Sequence, residues 1–272
     1  MLNAAPFQAA AGAPAVYCKT KLSGHRQRLV RERGMTDDTH DDVARSRAKV
    51  QQRFPQFVEF LEAQNELVRS GTCLLTGDSY ENDYRQYLRL VGHVEQIWDA
   101  SVLLLAAGLP AQAMFLAITC IEETGKVGVA RFQLALREVA RHNGHHLPSS
   151  FNVGRRGSPF YSHPQKHLLA AGAGAIVNSR LDRIVGLQRV VGFLDCIKAG
   201  SLEALRQSCL YADIGSEGPR VPGERIDRSE TIFYTVIAGE LMAEVLGLEA
   251  AEWERLVAKV QAFERAEGQS WE

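Results

Sequence analysis

The sequence has few of the residues that indicate a disulfide framework or a metal centre. Its 5 cysteines in 272 residues lie far apart and form no C-x-x-C pair. That pattern differs from the closely spaced cysteines of disulfide-rich or zinc-binding domains. We therefore expect reduced thiols, no structural metal and a cytoplasmic location.

An uninterrupted apolar run long enough to cross a membrane is also missing. The most apolar stretch, residues 101–121, is interrupted by Gly108 and Pro110 and is followed at once by two glutamates. A membrane-spanning helix needs about 20 consecutive apolar residues, so we interpret the stretch as two core helices joined by a tight turn. The first residues lack the basic start and apolar run of a secretory signal. We expect no membrane association.

Charge of one sign does not dominate the chain, which has a net charge of −1. This balance excludes a nonspecific polycation, but the charges are unevenly distributed. Residues 1–34 are rich in Ala, Gly and Pro and carry six basic residues against one acid, Glu32. We predict a disordered basic N-terminal extension over 1–34 and a single α-helical domain over 35–272, with an RNA-binding arm as the alternative for the extension.

The apolar residues that are present recur at steps of three and four, which is the period of an amphipathic helix. Gly108 and Pro110 stand where a helix C-terminus and the next helix N-terminus favour them. The fold class is therefore all-α, a helical bundle with a long basic loop over 145–161 and helical C-terminal additions. The pattern predicts helices over 37–53, 55–70, 83–107, 110–142, 163–199, 201–211, 228–246 and 249–266.

One carboxylate falls on the apolar face of the predicted 110–142 helix. Glu122 shares that face with Ile118 and Gly125, and the glycine allows a neighbouring helix to come close. A buried charge requires a partner, and Lys126 lies within ion-pair reach of either Glu122 or Glu123. Two interpretations stay open: a structural ion pair, or a carboxylate that orients a catalytic cation or histidine of another helix.

Basic residues and histidines are concentrated between residues 131 and 167. A segment dense in arginine suits phosphate binding, because the guanidinium group matches phosphate oxygens. The same pattern also fits a solvated surface loop. Metal binding by the histidines lacks support, because no H-E-x-x-H or E-x-x-H motif supplies carboxylate ligands. The residues are Arg131, Arg137, Arg141, His142, His145, His146, Arg155, Arg156, His163, Lys166 and His167.

Three short segments of the chain are informative in combination. The first is a predicted helical hairpin that ends in E-E-T-G-K at residues 122–126. The second is S-H-P-Q-K at residues 162–166, and the third is L-Y-A-D at residues 210–213. In order and spacing, over roughly residues 45–250, they resemble the E-E-x-G-K, S-H-x-x-K and L-Y-x-D segments of the AbiV family of bacterial abortive-infection proteins.

The resemblance implies a fold and a chemistry. The family is placed in the HEPN superfamily, whose members are helical, commonly dimeric and often metal-independent ribonucleases marked by R-x4–6-H. Arg156 and His163 fit this motif at the histidine of S-H-P-Q-K, and the pairs Arg137–His142 and Arg141–His146 fit it too.

The resemblance also implies roles for individual residues. His163 would act as general base or acid on a ribose 2′-hydroxyl. Arg156 and Lys166 would stabilise phosphoryl charge, and Glu122 would hold the cation or histidine in place, with Glu123 and Lys126 in the same site. The expected RNA contacts are Arg137, Arg141, Arg155 and His167, and no cofactor is expected.

The function expected from the resemblance is phage defence by a metal-independent ribonuclease or translation inhibitor. Its expected partners are RNA, a phage protein that acts as trigger, and a second copy of the chain in a homodimer. The alternative is a non-catalytic binding module that senses a phage protein or blocks the translation machinery. In that case the ionic residues of E-E-T-G-K and S-H-P-Q-K would pair across helices as buried ions.

Overall fold

The computed structural model describes residues 74–77, 79–144, 162–172, 180–215 and 218–268. The predicted extension over 1–34, the predicted helices over 37–53 and 55–70, and the predicted loop over 145–161 lie outside the described residues. Arg155 and Arg156 lie in that undescribed loop.

The described residues form eight α-helices and one short two-stranded sheet, which confirms the all-α class. In chain order the elements are α1 (Tyr80–Ala106), α2 (Pro110–His142), α3 (His163–Ala171), α4 (Arg180–Val185), α5 (Leu187–Lys198), α6 (Ser201–Ser208), β1 (Asp213–Gly215), β2 (Gly218–Arg220), a 3-10 turn (Pro222–Glu224), α7 (Arg228–Leu246) and α8 (Ala250–Ala266).

The two longest helices, α1 and α2, form the antiparallel hairpin that the sequence predicts. Gly108 has φ +77° between them, a conformation that glycine adopts without steric cost. Pro110 is the first residue of α2, where its missing N–H leaves no helical hydrogen bond unmade. The α1 helix starts three residues before the predicted Asp83, because the Ser79 hydroxyl caps it by accepting from the Asn82 N–H at 3.2 Å. The stretch 101–121 is therefore two helices and a turn.

Helix α7 fills the centre of the bundle and packs against α1, α2 and α8. Nearly all of its residues from Thr231 to Leu246 are buried, as expected for a helix that is apolar on every side. Gly239 allows α1 to approach, because a Cβ there would lie 2.7 Å from the Trp98 Nε1. That same Nε1 donates to the Thr235 carbonyl at 2.9 Å.

Two predictions about the second half of the chain are wrong in detail. The continuous helix over 163–199 is divided, because Gly186 has φ +85° and separates α4 from α5. Residues 173–179, between α3 and α4, are outside the described part. The segment 213–227, for which the pattern predicts neither helix nor strand, contains β1 and β2 paired antiparallel, with Asp213 opposite Arg220. Strands of three residues are too short for alternation to reveal.

The described part of the chain also bears on the membrane-spanning potential of the helices and on the cysteines. In that part, no helix is both long and apolar enough to cross a membrane. Cys120, Cys196 and Cys209 are free and buried. Burial raises the pKa of the Cys120 and Cys209 thiols to about 12, so both behave as small core residues rather than as nucleophiles.

Candidate active site

The site is built where α3 crosses the middle of α2. Glu122 lies on the buried face of α2, and its side chain is only 4 % exposed. Gly125 lies almost one turn further on, and a Cβ at that position would be 2.2 Å from the Lys166 carbonyl oxygen. Only glycine permits this approach of the α3 backbone, as the sequence predicts for residue 125. The close crossing brings the first turn of α3 over the Glu122 carboxylate.

Three polar side chains of α3 face this carboxylate. Lys166 and His167 lie three and four residues after His163, so both are on the same side of the helix as His163. Pro164 stands in the first turn, which suits a residue without an N–H. The local sequence S-H-P-Q-K-H therefore starts a helix and presents all three side chains to Glu122.

The first oxygen of Glu122, Oε2, contacts His163 and Lys166. The His163 Nδ1 lies 2.8 Å from Oε2 and the Lys166 Nζ lies 3.0 Å from it. A carboxylate can only accept hydrogen bonds, so the contact assigns a proton to Nδ1 and leaves Nε2 unprotonated in the neutral ring. Lys166 Nζ is also 3.1 Å from His163 Nδ1. Glu122 therefore contacts both a cation and a histidine of another helix, which is compatible with either interpretation of this carboxylate.

The second oxygen, Oε1, faces His167 and a residue of α6. The His167 Nε2 and the Arg206 Nε each lie 3.2 Å from Oε1. These are close contacts rather than aligned hydrogen bonds, since neither Oε1 nor the His167 Nε2 makes a bond of good geometry. Each oxygen of one carboxylate thus has two nitrogens beside it.

Helix α6 completes the site with an arginine–glutamate pair. The Arg206 Nε and Nη2 donate to the two carboxylate oxygens of Glu203, each at 2.8 Å. The Gln207 amide also donates to Glu203 at 2.7 Å, and the guanidinium lies over the Phe115 ring, 5.5 Å from its centroid. We name the set Glu122, His163, Lys166, His167, Glu203 and Arg206 the Glu122 cluster.

The electrostatics of the cluster follow from burial and these contacts. Burial by itself would raise the pKa of the Glu122 carboxyl, but the nearby nitrogens of His167, His163 and Lys166 outweigh it and lower this pKa to about 2. Burial lowers the pKa of His167 despite the adjacent carboxylate, so this imidazole is neutral at neutral pH. The hydrogen bonds between Glu203 and Arg206 lower the pKa of the acid and raise that of the base.

His163 is the most exposed member of the cluster. Its side chain is 40 % exposed, whereas that of His167 is 1 % exposed. An imidazole held at Nδ1 by a buried carboxylate and open to solvent elsewhere is an arrangement suited to proton transfer at Nε2. His167, predicted as an RNA contact, lies instead inside the carboxylate network.

Among the described residues, Glu122, His163 and Glu203 have ligand atoms within 4.8 Å of one another, close enough for a metal ion. The charges around them argue against that use. The Lys166 ammonium is 3.0 Å from Glu122, and Arg206 pairs with both carboxylates. A divalent cation would stand beside two like charges that already neutralise the acids, so this donor set does not favour a metal.

The other residues of E-E-T-G-K point elsewhere. Successive residues of a helix differ in direction by about 100°, so Glu123 points away from Glu122. Glu123 and Lys126 form an ion pair with each other. Lys126 therefore does not neutralise Glu122, although the sequence allowed either partner.

The arginines near the end of α2 also have protein partners. Arg131 donates to the Glu244 and Val245 carbonyls at 3.0 and 2.9 Å, at the end of α7. Arg137 pairs with the buried Asp83 of α1. Arg141 pairs with Glu138 at 2.7 Å and lies 5.7 Å from the centre of the Tyr80 ring. His142 approaches Glu138 at 3.2 Å, so Arg137 and His142 do not form a joint site.

Glu203 and Arg206 are the two site residues that the sequence analysis did not identify. Their spacing of three is typical of a solvated helical ion pair, and nothing local distinguishes them from such a pair. The one signal is their position just before L-Y-A-D, the third of the segments that carry the resemblance.

The fold and the site define a class: an all-α bundle with an ionic cluster at a helix crossing, of the HEPN type. Residues 85–243 match the AbiV family of this class, HEPN_AbiV, over more than half of the chain. The chain therefore belongs to the AbiV family, and this membership indicates abortive infection, a defence against phage. The matched segment contains the whole Glu122 cluster. No curated protein and no solved structure matches the chain.

Proposed function

We propose that the protein acts in phage defence as a metal-independent ribonuclease with His163 as its proton-transfer group. The observation that carries this proposal is the 2.8 Å contact between the His163 Nδ1 and the buried Glu122 carboxylate. That contact favours the tautomer with Nε2 unprotonated, in a side chain that is 40 % exposed. Positioned acid–base groups contribute about 10²–10⁴-fold to the rate.

The reaction would be an internal phosphoryl transfer. The His163 Nε2 takes the proton of a ribose 2′-hydroxyl, and the 2′-oxygen attacks the adjacent phosphorus. The bond from phosphorus to the 5′-oxygen breaks, the leaving oxygen takes up a proton from water, and the His163 imidazolium returns its proton to the solvent. The products are a 2′,3′-cyclic phosphate and a 5′-hydroxyl. Because the nucleophile belongs to the substrate, this chemistry requires no activated water.

The roles of the basic residues follow from their exposure. The Lys166 ammonium is buried against Glu122 and His163, so we assign it to holding the carboxylate rather than to direct phosphate contact. Arg141, at the exposed end of α2, stays a proposed RNA contact together with Arg155 and Arg156. Arg156 stays the proposed partner of His163 in the R-x4–6-H motif.

The test is cleavage of bulk tRNA and rRNA by the purified protein in EDTA. We expect cleavage by the wild type and a loss of at least about 100-fold in His163→Ala. His93→Ala, which removes an exposed histidine of α1, is the matched control and should cleave like the wild type. Cleavage by His163→Ala at the wild-type rate, or activity that disappears in EDTA, would contradict the proposal.

A binding module is the second candidate, and the burial of the cluster favours it. Lys166 and His167 are buried, and two cations balance two carboxylates without any substrate. On this view His163 is structural, and its replacement by alanine lowers the free energy of unfolding by about 1 kcal/mol or more. A catalytic His163 can be replaced with less effect on unfolding, so urea denaturation of His163→Ala separates the candidates.

The assembly state and the trigger belong to the same proposal. We propose a homodimer, as the HEPN resemblance implies, and activation by a phage protein. Sedimentation at several protein concentrations tests the first. A sedimentation coefficient that stays at the monomer value at all concentrations would exclude the dimer.

A further inference from the structure

Among the described residues of the Glu122 cluster, Arg206 of α6 is the one that contacts the Glu122 carboxylate and does not belong to α3. Arg206 reaches Oε1 at 3.2 Å, while His163 and Lys166 reach Oε2 at 2.8 and 3.0 Å. The carboxylate is therefore held between two helices, with a permanent cation at each oxygen. Its orientation depends on both.

Arg206 is unsuited to binding substrate directly. Its side chain is 13 % exposed, and both oxygens of Glu203 occupy the Nε and Nη2 edge of the guanidinium. That bidentate edge is the one an arginine uses to bind a phosphate. The guanidinium plane is in addition packed over Phe115. The geometry therefore favours a role for Arg206 toward Glu122, inside the cluster, rather than toward a substrate.

We propose that Arg206 is a positioning residue, which holds the Glu122 carboxylate so that Oε2 stays on the His163 Nδ1, and that Glu203 fixes Arg206 in this role. The catalytic part of the inference rests on the proposed ribonuclease function. The structural part, control of the His163 tautomer by a residue of α6, does not.

The consequence of losing Arg206 can be derived from the contacts that remain. Oε1 would keep only the neutral His167 beside it, while Oε2 would keep the Lys166 ammonium. The carboxylate is then free to turn toward Lys166, which already lies 3.1 Å from the His163 Nδ1. His163 loses its fixed acceptor, and the ring populates the tautomer with the proton on Nε2. That tautomer cannot accept a proton from a 2′-hydroxyl.

The first measurement is the tautomer of His163 by ¹⁵N NMR of the imidazole at a pH where the ring is neutral. The His163 signals are assigned by their absence from His163→Ala. We expect an unprotonated Nε2 in the wild type and a mixture of tautomers in Arg206→Ala and in Arg206→Gln. The glutamine variant removes the charge and keeps a long polar side chain. It tests the control of the His163 tautomer by Arg206 where the alanine variant does not fold.

The second measurement is cleavage of a labelled single-stranded RNA in EDTA. We expect kcat to fall about tenfold or more in Arg206→Ala, up to the 10²–10⁴-fold of the proton-transfer group itself. The KM should stay within about twofold, because a positioning residue does not bind substrate. Arg206→Lys should recover part of kcat, since it restores the charge without the fork.

Arg255→Ala is the matched control, because Arg255 holds Glu95 with a bidentate pair of 2.7 and 2.9 Å on another face of the protein. It should change neither the tautomer nor kcat. A wild-type tautomer in Arg206→Gln, or a loss confined to KM, would overturn the inference. A wild type that does not cleave RNA, together with the expected tautomer change, would reject the ribonuclease and keep the structural control by Arg206.

Discussion

Two ionic clusters of this protein lower the pKa of a glutamate to about 2 in different ways. In the Glu122 cluster, the nitrogens of α3 overcome burial. Between α1 and α8, Arg255 and Lys259 bind Glu95 at 2.7 and 2.6 Å, and the hydrogen bond from Arg255 is the main cause of the low pKa. Lys259 also binds Asp99 at 2.7 Å. We call this second set the Glu95 ladder.

The two sets differ in burial and in the residues that contact the glutamate. Arg255 is 52 % exposed and Glu95 is 16 % exposed, so the ladder is a solvated set of charges screened by salt. Glu122 is enclosed, and its contacts include two imidazoles. A pKa value alone therefore does not identify a functional carboxylate. Enclosure together with a histidine that reaches solvent is what distinguishes the proposed site.

The largest difference between the clusters should appear on neutralising each glutamate. Glu122→Gln leaves Lys166 and Arg206 as inadequately compensated buried cations, so the free energy of unfolding should fall by about 3–5 kcal/mol. Glu95→Gln removes solvated pairs and should cost about 1 kcal/mol or less. Urea denaturation of both variants at pH 7 measures the comparison, and equal losses would show that the two clusters are energetically alike.

Acid should separate the clusters next. Both pKa values lie below the 4.5 of an ordinary glutamate, so each carboxylate stabilises the fold above about pH 5 and loses this contribution as the pH falls toward 2. For Glu122 the shift corresponds to about 3 kcal/mol. The contribution of Glu95 to stability is smaller than its pKa shift implies, because its partners are exposed to solvent.

Salt distinguishes the contribution of Glu122 to stability from that of Glu95. Adding about 1 M NaCl shortens the screening length to about 3 Å. The acid loss that disappears in Glu122→Gln should persist at this salt concentration, whereas the loss that disappears in Glu95→Gln should shrink. Unfolding free energies at pH 5 and pH 2.5, in low and high salt, provide the test. Equal sensitivity to salt would place Glu122 in solvent-like surroundings.

The close crossing at Gly125 gives an effect of intermediate size. Gly125→Ala places a methyl group against the Lys166 carbonyl, so α3 must move away and stability should fall by about 1–3 kcal/mol. Gly92→Ala on α1 is the control, since nothing lies within 4 Å of its Cβ position. That change should stabilise the helix by about 0.5–1 kcal/mol. Thermal unfolding of both variants measures the pair, and a neutral Gly125→Ala would contradict the described crossing.

His167 should give the smallest effect. Burial lowers its pKa from 6.5, so the unfolded chain binds a proton below about pH 6.5 that the folded chain does not. Stability should therefore decrease as the pH falls through this region. His167→Gln removes the titrating group, and its Tm should change less between pH 7.5 and pH 5 than that of the wild type. An unchanged or steeper dependence would indicate a charged, solvated His167.

The parts of this structure that local sequence signals determine could be predicted, and those that depend on distant contacts could not. Gly108 and Pro110 specify the α1–α2 turn by their own backbone preferences, and periodicity alone places Glu122 inside. The division of the predicted 163–199 helix at Gly186 was missed, because an isolated glycine within a helical apolar pattern is compatible with a helix.

The same difference separates the site residues that could be predicted from the sequence from those that could not. His163 and Lys166 lie in a motif that carries the family resemblance, so the sequence singled them out. Arg206 meets Glu122 only through the packing of α6 on α2, which no local pattern encodes. Arg137 was predicted as an RNA contact because it lies in a basic segment, but folding brings the distant Asp83 to it.

The most direct test of the account is the chemistry of the cut. A single-stranded RNA that the wild type cleaves in EDTA is compared with the same strand carrying one 2′-deoxynucleotide on the 5′ side of the scissile phosphate. We expect cleavage of the RNA, with a 2′,3′-cyclic phosphate and a 5′-hydroxyl, and no cleavage at the deoxy position. Cleavage of both strands at the same phosphate would show that the nucleophile is not the 2′-hydroxyl, and would contradict the role given to His163.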